Sequence, residues 1–191
     1  MYQALMRYTF LLRLRFLVNK LFVSTRIIYY RLLGMQIGKG TTLGKIYSSW
    51  PNKVKIGNDS SINSHVFFTL DCPFNIDNEI IIGNNVFIGD LCKIHCKTQV
   101  IIGDNSLIAS SSTLVDTGHG FDRNLRYNQQ SNSSKPIVLE NDVWIGTGCT
   151  ILSGVTIGEG SAVGAGSLVN KSIPPYQIWA GSPAKFIRFR E

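Results

Sequence analysis

Acidic residues are scarce in this chain and they arrive late. Of 191 residues, 12 are Asp or Glu against 19 Lys or Arg, a formal net charge of +7. The first acid is Asp59, and before it stand Arg7, Arg13, Arg15, Lys20, Arg26, Arg31, Lys39, Lys45, Lys53 and Lys55. Charge as a whole is sparse at 16%, while 44% of the chain is hydrophobic. That balance excludes an intrinsically disordered protein, because there is enough apolar surface to offset chain entropy. Cysteine is limited to Cys72, Cys92, Cys96 and Cys149. They form no compact disulfide framework, and a single domain of this length needs none, so a reducing, cytoplasmic setting is expected. No uninterrupted apolar run reaches the length of a membrane span. Arg13, Arg15 and Lys20 interrupt the leading apolar stretch and no small-residue cleavage site follows, which argues against a secretory signal.

Neither Pro nor Gly occurs before Gly34. Residues 1–34, rich in Leu, Phe, Tyr and Arg, therefore read as helical. Arg13, Lys20 and Arg31 fall near one helical face and Arg15 and Arg26 away from it, so amphipathicity is imperfect. Two readings stay open: packing on the main domain, and peripheral contact with the inner face of a membrane through anionic headgroups. No nucleic-acid partner is expected.

From there on the chain beats in sixes. An aliphatic residue recurs at Leu139, Ile145, Ile151, Ile157, Val163 and Val169, and a smaller residue follows four positions later at Val143, Cys149, Val155, Ser161 and Ser167. The same beat runs through Ile82, Ile88 and Ile94, then Ile102, Ile108 and Leu114, with weaker copies from Ile37 and Ile56. A period of six fits neither a helix nor a hairpin meander. It fits short strands joined by tight turns, with Gly and Asn supplying the turn conformations. Three such units close one triangular coil, and stacked coils bury one apolar column. The fold class is thus an all-β parallel β-helix over 35–173.

The beat breaks twice. Ile94 and Ile102 lie eight apart, which implies a bulge or extended turn. Between Leu114 and Leu139 the polar stretch TGHGFDRNLRYNQQSNSSKP intervenes, an excursion loop at about 118–136 of the kind that usually carries function. Pro174, Pro175, Gly181 and Pro183 end the repeat, and 174–191 is expected to cap the open coil.

The run NDVWIGTGCTILSGVTIGEGSAVGAGSLVNKSIPPYQIWAGSPAKFIR resembles the C-terminal half of hexapeptide-repeat acetyltransferases. LVDTGHGFD is similar to the active-site segment of their galactoside and maltose O-acetyltransferase branch, whose relatives O-acetylate surface polysaccharides. The resemblance implies a left-handed winding, which spacing does not reveal. It also implies a homotrimer with acetyl-coenzyme A in the groove between neighbouring β-helices. His119 matches the catalytic histidine. Trp144 and Thr147 match residues that line the pantetheine arm, Ala165 a position whose backbone bonds it, and Lys171, Lys185 and Arg188 basic residues near the nucleotide phosphates. On the coil before His119, where galactoside enzymes hold acidic and amide groups for the sugar, this chain reads Ile94-His95-Cys96-Lys97. Asp90 and His95 are the candidates there for contact with a saccharide acceptor.

Acyl transfer from a thioester to a hydroxyl needs a base that takes the proton as the bond forms, and neutral imidazole suits it. His119 lies between two glycines, which let the backbone turn sharply and present the ring. Asp116, Asp122 or a backbone carbonyl are candidates to orient the other ring nitrogen. A zinc site built from His65, His95 and His119 is disfavoured by comparison with the γ-carbonic anhydrases, which share this fold and bind zinc through three histidines: their second and third histidines are close in sequence, whereas His95 and His119 are far apart. In CKIHC, Cys92 takes an inward position and Cys96 is expected to point elsewhere, so no metal is assigned. Three rival readings remain: N-acetylation of an amino sugar or xenobiotic, a non-catalytic β-helix scaffold, and transfer of an acyl group slightly larger than acetyl.

Overall fold

A computed structural model describes residues 2–71, 74 and 78–191, leaving aside the side chains of 2–11, 16 and 19–21. Cys72 and the side chains of Arg7 and Lys20 lie outside the described residues. Helix α1 spans Tyr2–Leu32. It stops where the sequence first offers glycine. Gly34 sits at φ +92°, donates to the Arg31 carbonyl (2.9 Å), and lets the Met35 N–H reach the Tyr30 carbonyl (3.0 Å). This is a Schellman ending, and it needs a left-handed residue at that place. The last turns of α1 lie over the first coil. Ile27 and Tyr30 pack against the core. Arg26 donates to the Leu43 carbonyl (2.8 Å), the Tyr30 hydroxyl to Ile46 (2.9 Å) and Arg31 to Ile37 (2.6 Å). Burial first, and neighbouring Tyr29 second, push the Tyr30 phenol above its ordinary range.

The column has three faces, each a ladder of parallel strands. The first face runs from Gln36–Ile37 to Thr156–Ile157, the second from Thr42–Leu43 to Ala162–Val163, and the third from Tyr47–Ser48 to Leu168–Val169. Ladder partners on the first face are 18 positions apart at Val138 and Thr156, the length of three hexapeptides. The aliphatics that mark the beat all point inward, and Ile88, Ile94, Ile108, Leu114, Ile145 and Ile151 are wholly buried. The small residues fill the corners, with Cys149 and Ser161 at 0% exposure. At the first-to-second corner a side-chain ladder adds to the backbone bonds between coils. Asn58, Asn84, Asp104 and Asn141 each accept the N–H of the coil below, from Lys39, Asn58, Asn84 and Asp104 respectively, at 2.7–2.9 Å. The fold is a left-handed parallel β-helix.

Cys96 corrects one expectation. It points into the column and is fully buried, as Cys92 and Cys149 are. The strand Lys93–Cys96 is four residues long, and in a strand positions two apart share a face. Ile94 and Cys96 are therefore both inward, and Lys93 and His95 turn out.

The two breaks in the beat take definite shapes. The long interval after Ile94 becomes two four-residue strands, Lys93–Cys96 and Gln99–Ile102, around a widened corner. The excursion loop is not structureless. Strands Thr117–His119 and Asn132–Ser134 pair antiparallel at its root, with His119 opposite Asn132. Gln130 staples the tip, accepting the Asp122 N–H (2.9 Å) and donating to the carbonyls of Asp122 (3.1 Å) and Leu125 (3.0 Å). At the far end Gln177–Gly181 continues the second face in parallel and Ala184–Phe189 folds back on it. Arg190 ties the tail down by donating to Asp142 (2.7 Å) and to the Gly160 carbonyl (3.0 Å).

Candidate active site

His119 ends the first strand of the loop ribbon, and its residue is exposed. Among the described residues its ring makes no hydrogen bond. The flanking glycines do not turn the chain. Neither Gly118 nor Gly120 has a positive φ, and Gly118 lies within the extended strand Thr117–His119. A Cβ at Gly118 would meet nothing within 4 Å, and one at Gly120 would meet Gln130 at 2.8 Å. The glycines therefore leave the surface beside the ring bare and let the Gln130 staple close.

Asp116 does not orient His119. It points inward, wholly buried, in the row of Leu70 and Cys96. Its carboxylate accepts the N–H groups of Lys97 (2.7 Å), Thr98 (2.6 Å) and Gln99 (3.1 Å), and so holds the widened corner of the coil below. Its carbonyl accepts the Lys135 N–H (3.1 Å) and the Ser153 hydroxyl (2.8 Å), closing the neck of the loop. Asp122 is exposed and caps its own turn, accepting the Asn124 N–H (2.9 Å). Asp90 holds the preceding coil, accepting from the Ser64 N–H (3.1 Å) and the Asn63 side chain (3.1 Å).

His95 faces outward on the third face, paired in register with Thr69 below and Val115 above. Its Nδ1 lies 2.9 Å from the Thr69 hydroxyl and its Nε2 3.1 Å from the Asp71 carboxylate. Sequence reasoning named His95 and missed both partners, which come from a coil 24 and 26 residues earlier. His65 sits in a turn between the second and third faces at φ +60°. The three histidines occupy separate parts of the surface, and among the described residues no three His, Cys, Asp or Glu side chains gather as metal ligands.

The residues that the resemblance assigns to the acyl donor fall into three places. Trp144 stands out from the second face, 56% exposed, in an outward row with Leu107 below and Ala162 and Ile178 above. These side chains wall a hollow of about 470 Å³ that Arg188 and Arg190 border. Thr147 and Ala165 stack at the second-to-third corner, where the Gly166 N–H donates to the Thr147 carbonyl (2.8 Å). Each is followed by a left-handed glycine, Gly148 at φ +69° and Gly166 at φ +69°. The Ala165 N–H, on that exposed turn, donates to no group of the described residues. Lys171 and Lys185 meet in a second hollow of about 410 Å³ beside Trp179. The outward row Phe87, Leu107, Trp144, Ala162 was legible: each residue directly precedes an inward aliphatic.

One chain leaves these parts on different edges of the prism. The loop carrying His119 springs from the third-to-first edge, between Thr113–Val115 and Ile137–Leu139. Thr147 and Ala165 lie on the second-to-third edge. Phe121, Leu125 and Tyr127 of the loop are left exposed by the single chain.

Residues 136–171 match the bacterial transferase hexapeptide family (six repeats). Over 82 residues the chain is 44% identical to galactoside O-acetyltransferase of Escherichia coli strain K12, covering 43% of this chain and 40% of that one. Over 56 residues it is 59% identical to a 2,3,4,5-tetrahydropyridine-2,6-dicarboxylate N-acetyltransferase of Halalkalibacterium halodurans, covering 29% of this chain and 23% of that one. The chain thus spans less than half the length of these relatives. A solved galactoside acetyltransferase in complex with coenzyme A aligns over 82% of this chain and 65% of that chain, with TM-score 0.59 and 34% identity. The last two coils of a three-sided column beating in sixes thus carry the match to the bacterial transferase hexapeptide family, and the column as a whole resembles the solved galactoside acetyltransferase.

Proposed function

We propose that the chain is an acetyl-coenzyme A–dependent acetyltransferase that acts on a sugar hydroxyl, with His119 as general base, and that it works as a homotrimer. The observation that carries the reading is an exposed imidazole at the root of a stapled hairpin, in a chain whose apolar hollow and corner amide lie on other edges. Placing one copy's hairpin against a neighbour's corner joins the two halves and covers Phe121, Leu125 and Tyr127.

The donor suits the residues present. The Leu107–Trp144–Ala162–Ile178 wall offers apolar contact to a pantetheine arm, and the unpaired Ala165 N–H offers a donor to one of its amide carbonyls. Arg188 at one hollow, and Lys171 with Lys185 at the other, suit anionic phosphates. Arg190 is already engaged with Asp142.

In the transfer step the His119 ring takes the hydroxyl proton as the oxygen attacks the thioester carbon. Collapse of the tetrahedral adduct breaks the carbon–sulfur bond, and the departing thiolate recovers that proton. The products are an acetyl ester and free coenzyme A, and no acyl-enzyme forms. A saccharide of capsule, O-antigen or exopolysaccharide is the favoured acceptor, because the basic, aromatic α1 suits a membrane-proximal substrate.

A second reading, acetylation of an amine, is favoured by the segment 59% identical to an N-acetyltransferase. Thiol release from acetyl-coenzyme A, measured across a panel of sugars and amino sugars, tests both. Products cleaved by hydroxylamine are esters and support the first reading, and resistant products are amides and support the second. No turnover with any acceptor, or full turnover by His119→Ala, defeats the mechanism.

A further inference from the structure

Helix α1 carries two apolar faces, and the column uses one. Ile27 and Tyr30 turn to the core. On the opposite side Leu14, Leu17, Val18, Phe22, Ile28 and Leu32 are all exposed, Leu32 to 82%. At 3.6 residues per turn these six fall within an arc of about 140°, wide for a coiled-coil seam and suited to a flat apolar phase. Arg13 and Arg15, both exposed, flank that arc on its two sides. At the foot of the helix Ile28, Arg31 and Lys39 border a hollow of about 380 Å³.

Charge decides what the arc meets. The first 58 residues hold ten cations and no acid. A second copy of α1 would bring the same sign of charge with no carboxylate to pair it. Among the described residues no helix is long and apolar enough to cross a membrane, so the arc is suited to lying in an interface. We propose that the outer stripe of α1 docks on an anionic phospholipid surface, with the leucines and Phe22 in the acyl boundary and Arg13 and Arg15 among the headgroups. Long cationic side chains beside an apolar stripe reach up to phosphates while their stems stay in the apolar phase. The first coil then faces the bilayer and later coils stand away from it.

The test is co-sedimentation of the full chain with phosphatidylcholine vesicles, with and without phosphatidylglycerol. It needs no acyl donor, so it stands apart from the transferase reading. Binding is expected only with phosphatidylglycerol, and it should weaken at high salt. Arg13→Gln with Arg15→Gln should cut the affinity about thirtyfold, and Leu17→Ser with Phe22→Ser should abolish it. Thermal unfolding and light scattering are followed in parallel. The idea fails if anionic vesicles do not bind the chain, or if the arginine variant binds as well as the parent. It fails equally if Leu17→Ser with Phe22→Ser lowers the oligomer mass, which would make the stripe a contact between copies.

Discussion

Oδ2 of Asp116 accepts the backbone N–H of Thr98 at 2.6 Å, across 18 residues of sequence and one coil of the column. One buried carboxylate thereby fixes the widened corner below, while its own backbone closes the neck of the loop that carries His119.

Asp116→Ala should accordingly damage both stability and turnover. It strands the N–H groups of Lys97, Thr98 and Gln99 in a buried corner, at a cost of about 2–4 kcal/mol. Asp116→Asn, which keeps one acceptor oxygen, should lose less. Denaturant unfolding of the two variants checks the order, and equal midpoints for Asp116→Ala and the parent would refute the role.

Replacing His119 by Ala should leave the unfolding midpoint unchanged, since among the described residues the exposed ring makes no hydrogen bond. Turnover should drop roughly 10²–10⁴-fold, the usual share of a general base. Steady-state kinetics alongside calorimetry separates the two effects.

Trp144 stands in water in the single chain and walls the second-face hollow. Trp144→Ala should raise KM for acetyl-coenzyme A about tenfold, with a smaller change in kcat, as expected when a flat apolar contact to the donor is lost. A fall in kcat alone, with KM intact, would remove the tryptophan from the donor site.

The Cys96 thiol is pushed up to about 12, chiefly by burial and next by the Asp116 carboxylate. Burial also raises Cys92 and Cys149. In the unfolded chain a thiol ionises near its ordinary value of about 8.5. Between that pH and about 12 the folded state holds a proton that the unfolded state has released, so stability should fall as pH rises through this window. Cys96→Ala should flatten that fall, as urea titrations at pH 8 and pH 10 would show. Peptide mapping after alkylation of the native protein at pH 8 should find Cys92, Cys96 and Cys149 unmodified.

Much of the column was legible because its signal is periodic and local. The inward aliphatics, the corner cysteines Cys92 and Cys149, the helical start and the excursion loop all follow from residue type at fixed spacing. Cys96 was misread because six-residue spacing was applied where a four-residue strand imposes a period of two. Asp116 was misread because its three partners lie one coil away and the corner they form exists only when the coils stack. The pairing of His95 with Thr69 and Asp71 was hidden for the same reason.

The sequence by itself determined that this chain winds into a three-sided column, where the beat fails, and that α1 must stop at Gly34. Those outcomes depend on backbone geometry and on apolar side chains seeking a common interior, which neighbouring residues dictate. Only the tertiary structure decided which polar groups are spent on holding coils together and which remain open to a ligand. Asp116, Asp90 and Arg190 are spent, whereas the His119 ring and the Ala165 N–H are open. A hydrogen bond between stacked coils joins residues about twenty positions apart, and no local pattern encodes which carboxylate will find which amide.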